Sequence, residues 1–339
     1  MSDFCEARRV PAEWEDQKCI WLSWPHQEST WPGRYESIPS FYAGWIRILA
    51  ETHPIKVLAA GSAERLCSKM LPKTNNVEVI PIQTNDCWIR DYGPTFVRDE
   101  SDGSYLGLDW RYNAWGGKYP PWDDDNQVAP SICTHLDMPL QRSELCLEGG
   151  ALEFDGHGRL LVTSSSILTT TRNPGWTRQQ VEDEFRLLLG VKEVIWVDGG
   201  GLLGDDTDGH IDQLARFIDR ENIVVAVSND PSDSNHEGLE ANYQLLTAWV
   251  KQSAPNVNVH RLPIPPIRKI NGRRLPESYC NFLRLGRQRL LLPTFGAPTD
   301  AMAKSLLQEI TGVEILPVDC REMIWGLGAL HCASRDQPA

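Results

Sequence analysis

Five stretches of the chain carry apolar residues at helical spacing and then a short β-branched run. They are SFYAGWIRILAETHPIKVLAA (40–60), SAERLCSKMLPKTNNVEVIPI (62–82), TRQQVEDEFRLLLGVKEVIWV (177–197), EGLEANYQLLTAWVKQSAPNVNVHRLPI (237–264) and TDAMAKSLLQEITGVEILPVD (299–319). The change of period from 3.6 to about 2 predicts a helix followed by a strand in each. Thr177 and Gln180 stand three apart at the head of the third helix, as a capping box requires. Further strands are predicted at PTFVR, YLGLDW, ALEFD, RLLVT, NIVVAV and RLLLP. Five helix–strand units with extra strands predict an α/β fold built as a closed pseudosymmetric array, in which stacked units share one core. On this reading residues 1–339 form a single domain. An open doubly wound sheet is the alternative that the pattern leaves standing.

Composition narrows the function classes. The chain of 339 residues is 41% hydrophobic and 23% charged, with thirteen tryptophans. No apolar run approaches the ~18 residues of a membrane helix, and the start MSDFCEARRVPAEWEDQ shows no secretory signal. A soluble, cytoplasmic protein is expected. The net charge of −13 argues against nucleic acid, which needs a basic stripe, and favours a cationic ligand. Nine cysteines lack CxxC spacing, against both a disulfide framework and a zinc ribbon. Most are expected to be inert buried thiols.

The densest candidate chemistry is DDTDGHID, 205–212, with four acids and a histidine in eight residues. An EF-hand register with Gly209 at its sixth position puts Gly204 first and Ala215 last, so the terminal ligands are missing. A transition metal would want a second histidine, and only the distant His331 offers itself. No metal is therefore expected. GGGLLG (199–204) matches a phosphate-loop pattern, but the acids that follow would repel phosphate, and a tight turn is the better reading. If HIDQLARFID is a strand, His210 and Asp212 share a face, where a carboxylate beside an imidazole suits acid–base work. TNDCWIRDYGP (84–94) places Trp88, Arg90 and Asp91 at a strand end. LCLEGGALEFD (145–155) places Glu148 within an apolar strand, costly unless paired. WGLGALHCASRDQP (325–338) offers Cys332 after glycines that allow close approach to a ligand.

Each of these stretches alone has an ordinary structural reading. In order along the chain, however, they resemble the agmatine deiminases of the Porphyromonas-type peptidyl-arginine deiminase family, within the guanidine-modifying superfamily. The resemblance runs from VPAEWEDQKCIWLSWPHQESTWPG through TNDCWIRDYGPTFV, YNAWGGKYPPWDDDNQVA, EGGALEFDGHGRLLVTSSSIL, RNP, DDTDGHIDQLARF and LPESYCNF to GLGALHCASRDQP. It implies a five-bladed α/β propeller, the pentein fold. By position it implies Cys332 as nucleophile and His210 as general acid and base. Asp91 and Asp212 become guanidinium-binding carboxylates, with Glu148 as support for His210. Trp88, Asp206 and the backbone at Gly328 become pocket elements. It implies a small cationic guanidine as substrate, no cofactor, and a homodimer. Alternatives are deimination of free or peptidyl arginine, amidino transfer, and a non-catalytic binding protein. The family's usual ITQQ after the cysteine is ASRD here (333–336), and Arg335, if it enters the pocket, would favour carboxylate-bearing substrates.

Overall fold

The computed structural model describes residues 8–270 and 272–339. Cys5 and the first seven residues of the N-terminal stretch read for a signal lie outside the described residues. Among the described residues, five sheets have three or four strands each, and a two-stranded hairpin pairs Lys269–Ile270 with Arg273–Arg274. No described helix is long and apolar enough to cross a membrane.

The five sheets repeat one connection: an antiparallel pair, a helix, then a strand parallel to the second. Thr95–Asp99 and Tyr105–Arg111 pair antiparallel, helix Val128–His135 follows, and Leu140–Cys146 returns parallel. Glu153–Phe154, Arg159–Val162, helix Arg178–Leu189 and Glu193–Trp196 repeat it. So do Ala215–Phe217, Asn222–Val227, helix His236–Ser253 and Asn258–Pro263. Leu283–Leu285, Arg289–Thr294, helix Thr299–Thr311 and Glu314–Asp319 are the fourth unit. The fifth joins the two ends of the described chain: Ser334–Pro338 pairs antiparallel with Gln17–Ser23, and helix Ile38–Ala50 leads to the parallel strand Ile55–Leu58. Helix Gly61–Met70 then adds Val77–Ile80 to that same sheet.

All five predicted helix–strand units are present, but they do not fall one to a sheet. The first two share the sheet of Gln17–Ser23. The sheet of Tyr105–Arg111 has its own helix and parallel strand, which the pattern did not predict. That helix is two turns long with a proline inside, and its strand exposes Leu140 while burying Ser143, so neither gives a strong periodic signal.

Local physics accounts for the remaining elements. Helix Ile38–Ala50 buries Ile38, Tyr42, Trp45, Ile46 and Leu49, one stripe at i, i+4, i+7, i+8 and i+11. The Thr177 capping box is formed in full, and Gly190 ends that helix at φ +66°. A Cβ at Gly190 would lie 1.8 Å from the Arg8 carbonyl oxygen, so only glycine lets the N-terminal strand pass there. Trp21, Trp24, Trp31 and Trp45 are fully buried in the largest core cluster.

Candidate active site

In every unit the segment just before the first strand makes a short, tight turn. Ile89–Tyr92 precedes Thr95, Gly149–Ala151 precedes Glu153, Ile211–Gln213 precedes Ala215, and Tyr279–Asn281 precedes Leu283. Cys332 holds the corresponding place before Ser334. These turns touch one another. The Arg90 amide donates to the Cys332 carbonyl at 3.1 Å, and the His331 amide to that of Asn281 at 3.2 Å. Ser278 Oγ donates to the Gln213 carbonyl at 2.7 Å.

Asp91, Glu148, His210, Asp212 and Cys332 therefore meet, although about 240 positions separate the first from the last. His210 Nε2 lies 3.4 Å from Glu148 Oε2, and its Nδ1 lies 3.7 Å from Asp91 Oδ1. Cys332 Sγ lies 3.6 Å from Asp212 Oδ2. The Asp91 carboxylate accepts from Trp115 Nε1 and from the Gly150 amide, each at 2.9 Å. Both Glu148 oxygens accept from Arg172 Nε, at 2.8 and 2.9 Å. Arg172 continues to Asp208 Oδ2 at 2.7 Å and to the Thr207 carbonyl at 3.0 Å. Asp212 Oδ2 faces His331 Nδ1 at 2.8 Å. Two buried polar atoms have no hydrogen-bond partner here, His210 Nδ1 and Asp212 Oδ1.

This packing shifts every titration. Burial by itself would lower the His210 pKa, but Asp91, Glu148 and Asp212 carry it up to about 9. Burial raises the Asp212 carboxyl to about 7 despite the pull of His210. Burial also raises Asp91. Glu148 is buried too, yet Arg172 and His210 hold it below the ordinary carboxylate value. Burial drives the Cys332 thiol well up, and Asp212 and Asp91 add to this.

A cavity of about 320 Å³ opens onto this cluster, and Trp88, Asp91, Asp206, Gly328 and Cys332 all line it. Glu148, His210 and Asp212 are fully buried beside it. Asp206 accepts a hydrogen bond from the Tyr119 hydroxyl, and Lys118 Nζ reaches the Asp206 carbonyl at 2.5 Å and Asp208 Oδ1 at 2.8 Å. The glycines of WGLGAL are closely approached by indole. A Cβ at Gly328 would lie 2.5 Å from the Trp88 ring, and one at Gly326 would lie 2.8 Å from Trp31 and Trp88.

Two placements read from the sequence are corrected, and two open possibilities are closed. His210 and Asp212 do not sit on a strand, because a 3₁₀ turn spans Ile211–Gln213 and the strand begins at Ala215. Glu148 does not lie within a strand either. The preceding strand ends at Cys146, and Arg172 supplies the counter-charge. Arg335 is not in the cavity, since it is buried on the pairing strand and donates to the Pro94 carbonyl at 2.8 Å. His331 is not a partner for a metal with His210 but contacts Asp212, and no described group of three or more His, Cys, Asp or Glu could hold a metal ion. Asp205, given no role from sequence, accepts from Thr207 and Gly209 and shapes the loop.

The sequence reading missed Arg172, Gly150 and Asn281. The stretches RNP, EGG and YCNF contained them, but a cation far along the chain, a glycine and a neutral amide announce no chemistry. Gly150 stands at the centre: a Cβ there would lie 2.6 Å from His210 Nδ1, 2.7 Å from Asp91 Oδ1 and 3.2 Å from Asp212 Oδ2. Gly150→Ala is expected to cost about 1–3 kcal/mol by overpacking and to lower turnover on the order of 10²-fold by displacing these groups. Urea unfolding and steady-state rates check both.

Comparison with known proteins follows the same lines. The family model for the Porphyromonas-type peptidyl-arginine deiminase matches residues 9–338. An agmatine deiminase of Pseudomonas fluorescens is 32% identical over 354 aligned positions, covering 97% of this chain and 95% of its own. The structure of a C. jejuni agmatine deiminase with substrate bound superposes with a TM-score of 0.90 at 29% identity, covering 98% of this chain and 96% of that one. A dimethylarginine dimethylaminohydrolase superposes with a TM-score of 0.54 at 13% identity, over 94% of this chain and 99% of that one, a likeness of fold alone.

Proposed function

The chain belongs to the Porphyromonas-type peptidyl-arginine deiminase family, and from that premise we propose that it hydrolyses agmatine to N-carbamoylputrescine and ammonia. One observation carries the chemistry. Asp212 is buried with Oδ1 unpartnered, and its Oδ2 stands 3.6 Å from a thiol. A buried carboxylate so placed is costly until a cation completes it. A guanidinium is planar, stays protonated at neutral pH, and presents paired N–H donors to carboxylates.

In this reading Asp91 and Asp212 grip the guanidinium and hold its carbon over Cys332 Sγ. The bound cation offsets the two carboxylates that raise the thiol, so substrate helps form the thiolate. The S–C bond forms. His210, protonated at neutral pH, gives its proton to the departing nitrogen as the C–N bond breaks and ammonia leaves. His210, now neutral, takes a proton from water, and the resulting hydroxide attacks the amidino carbon. Collapse breaks the C–S bond, restores the thiolate and releases the ureido product, the adduct's hydroxyl proton passing to solvent, where it is taken up by the ammonia. Glu148, anchored by Arg172, orients and charges His210. Trp88, Asp206 and Gly328 shape the passage for the alkyl chain and its terminal cation. No cofactor takes part.

The five repeated connections and the pairing of the chain's two ends support a single domain, residues 1–339, closed as a five-bladed propeller. The family resemblance is the ground for a cytoplasmic homodimer. The net charge of −13 suits a small cation rather than nucleic acid.

The pH profile follows from two groups. Guanidinium binding needs Asp212 ionised, so kcat/KM falls as pH drops through about 7. Ammonia departure needs His210 protonated, so kcat/KM falls again as pH rises through about 9. Glu148→Gln removes one carboxylate that raises His210, so the alkaline limb moves to lower pH. An alkaline limb that stays in place in the folded variant would remove Glu148 from this role. Ammonia release from agmatine, free arginine and peptidyl-arginine tests the substrate. Release from agmatine is expected, because Arg335 is turned away from the cavity. Release from arginine but not from agmatine overturns the assignment.

A further inference from the structure

Four of the five pre-strand turns supply residues already given a role, and the turn before Leu283 supplies Asn281 to the same point. Asn281 is fully buried. Its Nδ2 donates to Cys332 Sγ at 3.1 Å, and its Oδ1 accepts from the Cys332 amide at 3.3 Å. One side chain thus grips both the reacting sulfur and the backbone that carries it. From this geometry we infer that Asn281 is a positioning residue for the nucleophile, favouring the Cys332 thiolate when it forms and fixing its direction of attack.

The surroundings are built to hold that amide still. Arg216 Nη1 donates to the carbonyls of Cys280 and Phe282, on either side of Asn281, at 3.0 Å each. The Arg216 charge is itself taken up by Glu153 and Glu13. Ser278 Oγ caps the turn by accepting from the Cys280 amide and ties it to the Gln213 carbonyl. A rigid donor aimed at a developing or resident anion needs no reorganisation when the charge appears.

The charges facing Cys332 make such a donor necessary. Asp212 and Asp91 both oppose a thiolate. His331, from the adjoining residue, is buried near Arg216 and Arg90 and held well below its ordinary value, so it brings no compensating charge. His210 serves Asp91 and Glu148. The Asn281 amide, with the Ala329 backbone, pulls the thiol the other way. Substrate supplies a cation only while bound, whereas Asn281 is in place beforehand.

This inference rests on the reading of Cys332 as nucleophile, and its test separates the two. Asn281→Asp keeps an oxygen for the Cys332 amide and removes the N–H donor to sulfur. Asn281→Ser, neutral and too short to reach, is the second variant should the first fail to fold. Alkylation of Cys332 by iodoacetamide, followed on its tryptic peptide across pH, reads the thiolate without substrate. The alkylation midpoint is expected at higher pH in both variants. For agmatine, kcat should fall on the order of 10²-fold while KM changes by less than about 3-fold, since Asn281 does not touch the guanidinium. An unshifted alkylation midpoint in a folded variant overturns the inference, and so does a loss expressed in KM alone. A shifted midpoint in a protein that turns over no guanidine would keep the Asn281–sulfur interaction and sink the proposed function instead.

Discussion

Cys332→Ala lowers agmatine turnover on the order of 10⁴-fold or more, with the thermal unfolding profile little changed. The size of the effect follows from the chemistry. Without sulfur there is no covalent intermediate, and water would have to attack a resonance-stabilised guanidinium directly. The clamp survives, because Asp91 is held by Trp115 and Gly150, and Asp212 by His331. Agmatine should therefore still bind, and calorimetry on the variant should find an affinity within about 10-fold of the wild-type KM. The stability change is small because Cys332 is a short side chain at the wall of a cavity. Residual turnover near the wild-type rate would remove the nucleophile from the account.

Arg172→Met carries the second large effect, this time on stability. The Arg172–Glu148 pair is fully buried at both ends, with Nε 2.8 and 2.9 Å from the two carboxylate oxygens. Removing the cation strands a carboxylate in the interior, which costs about 3–5 kcal/mol. Asp208 loses one of its two cations but is exposed enough to recover solvent. The urea midpoint should fall accordingly. Adding Glu148→Gln to the same chain should restore part of the loss, since the stranded charge is then gone. A double variant less stable than Arg172→Met would mean that the pair matters through packing rather than charge. Activity should fall in both, because Glu148 no longer holds His210.

Much of the scaffold was readable because strong local signals agreed with the tertiary structure. The Thr177 capping box and the stripe in Ile38–Ala50 are local facts that packing then used. The helix Val128–His135 was missed for the opposite reason, being too short for its period to stand out. The site divides in the same way. Asp91, Glu148, His210, Asp212 and Cys332 have chemistry-bearing side chains, but nothing local links them. Their order along the chain matched a known family, and the fold then brought them to one point. Period-2 reasoning put His210 and Asp212 on one face of a strand, whereas a 3₁₀ turn with buried Ile211 and Gln213 separates them. Arg335 came into question as a pocket residue only because it neighbours Cys332 in sequence. On a paired strand, register against Trp21 sends it elsewhere. Asn281 stayed invisible because a neutral amide in an apolar run gains its meaning only from what it faces.

The most direct test of the central claim is mass spectrometry on enzyme quenched in acid during agmatine turnover. The account predicts that the peptide carrying Cys332 gains the mass of agmatine less ammonia, and that the adduct disappears when substrate is exhausted. Steady turnover of agmatine with no adduct on Cys332, or an adduct on any other cysteine, would contradict it.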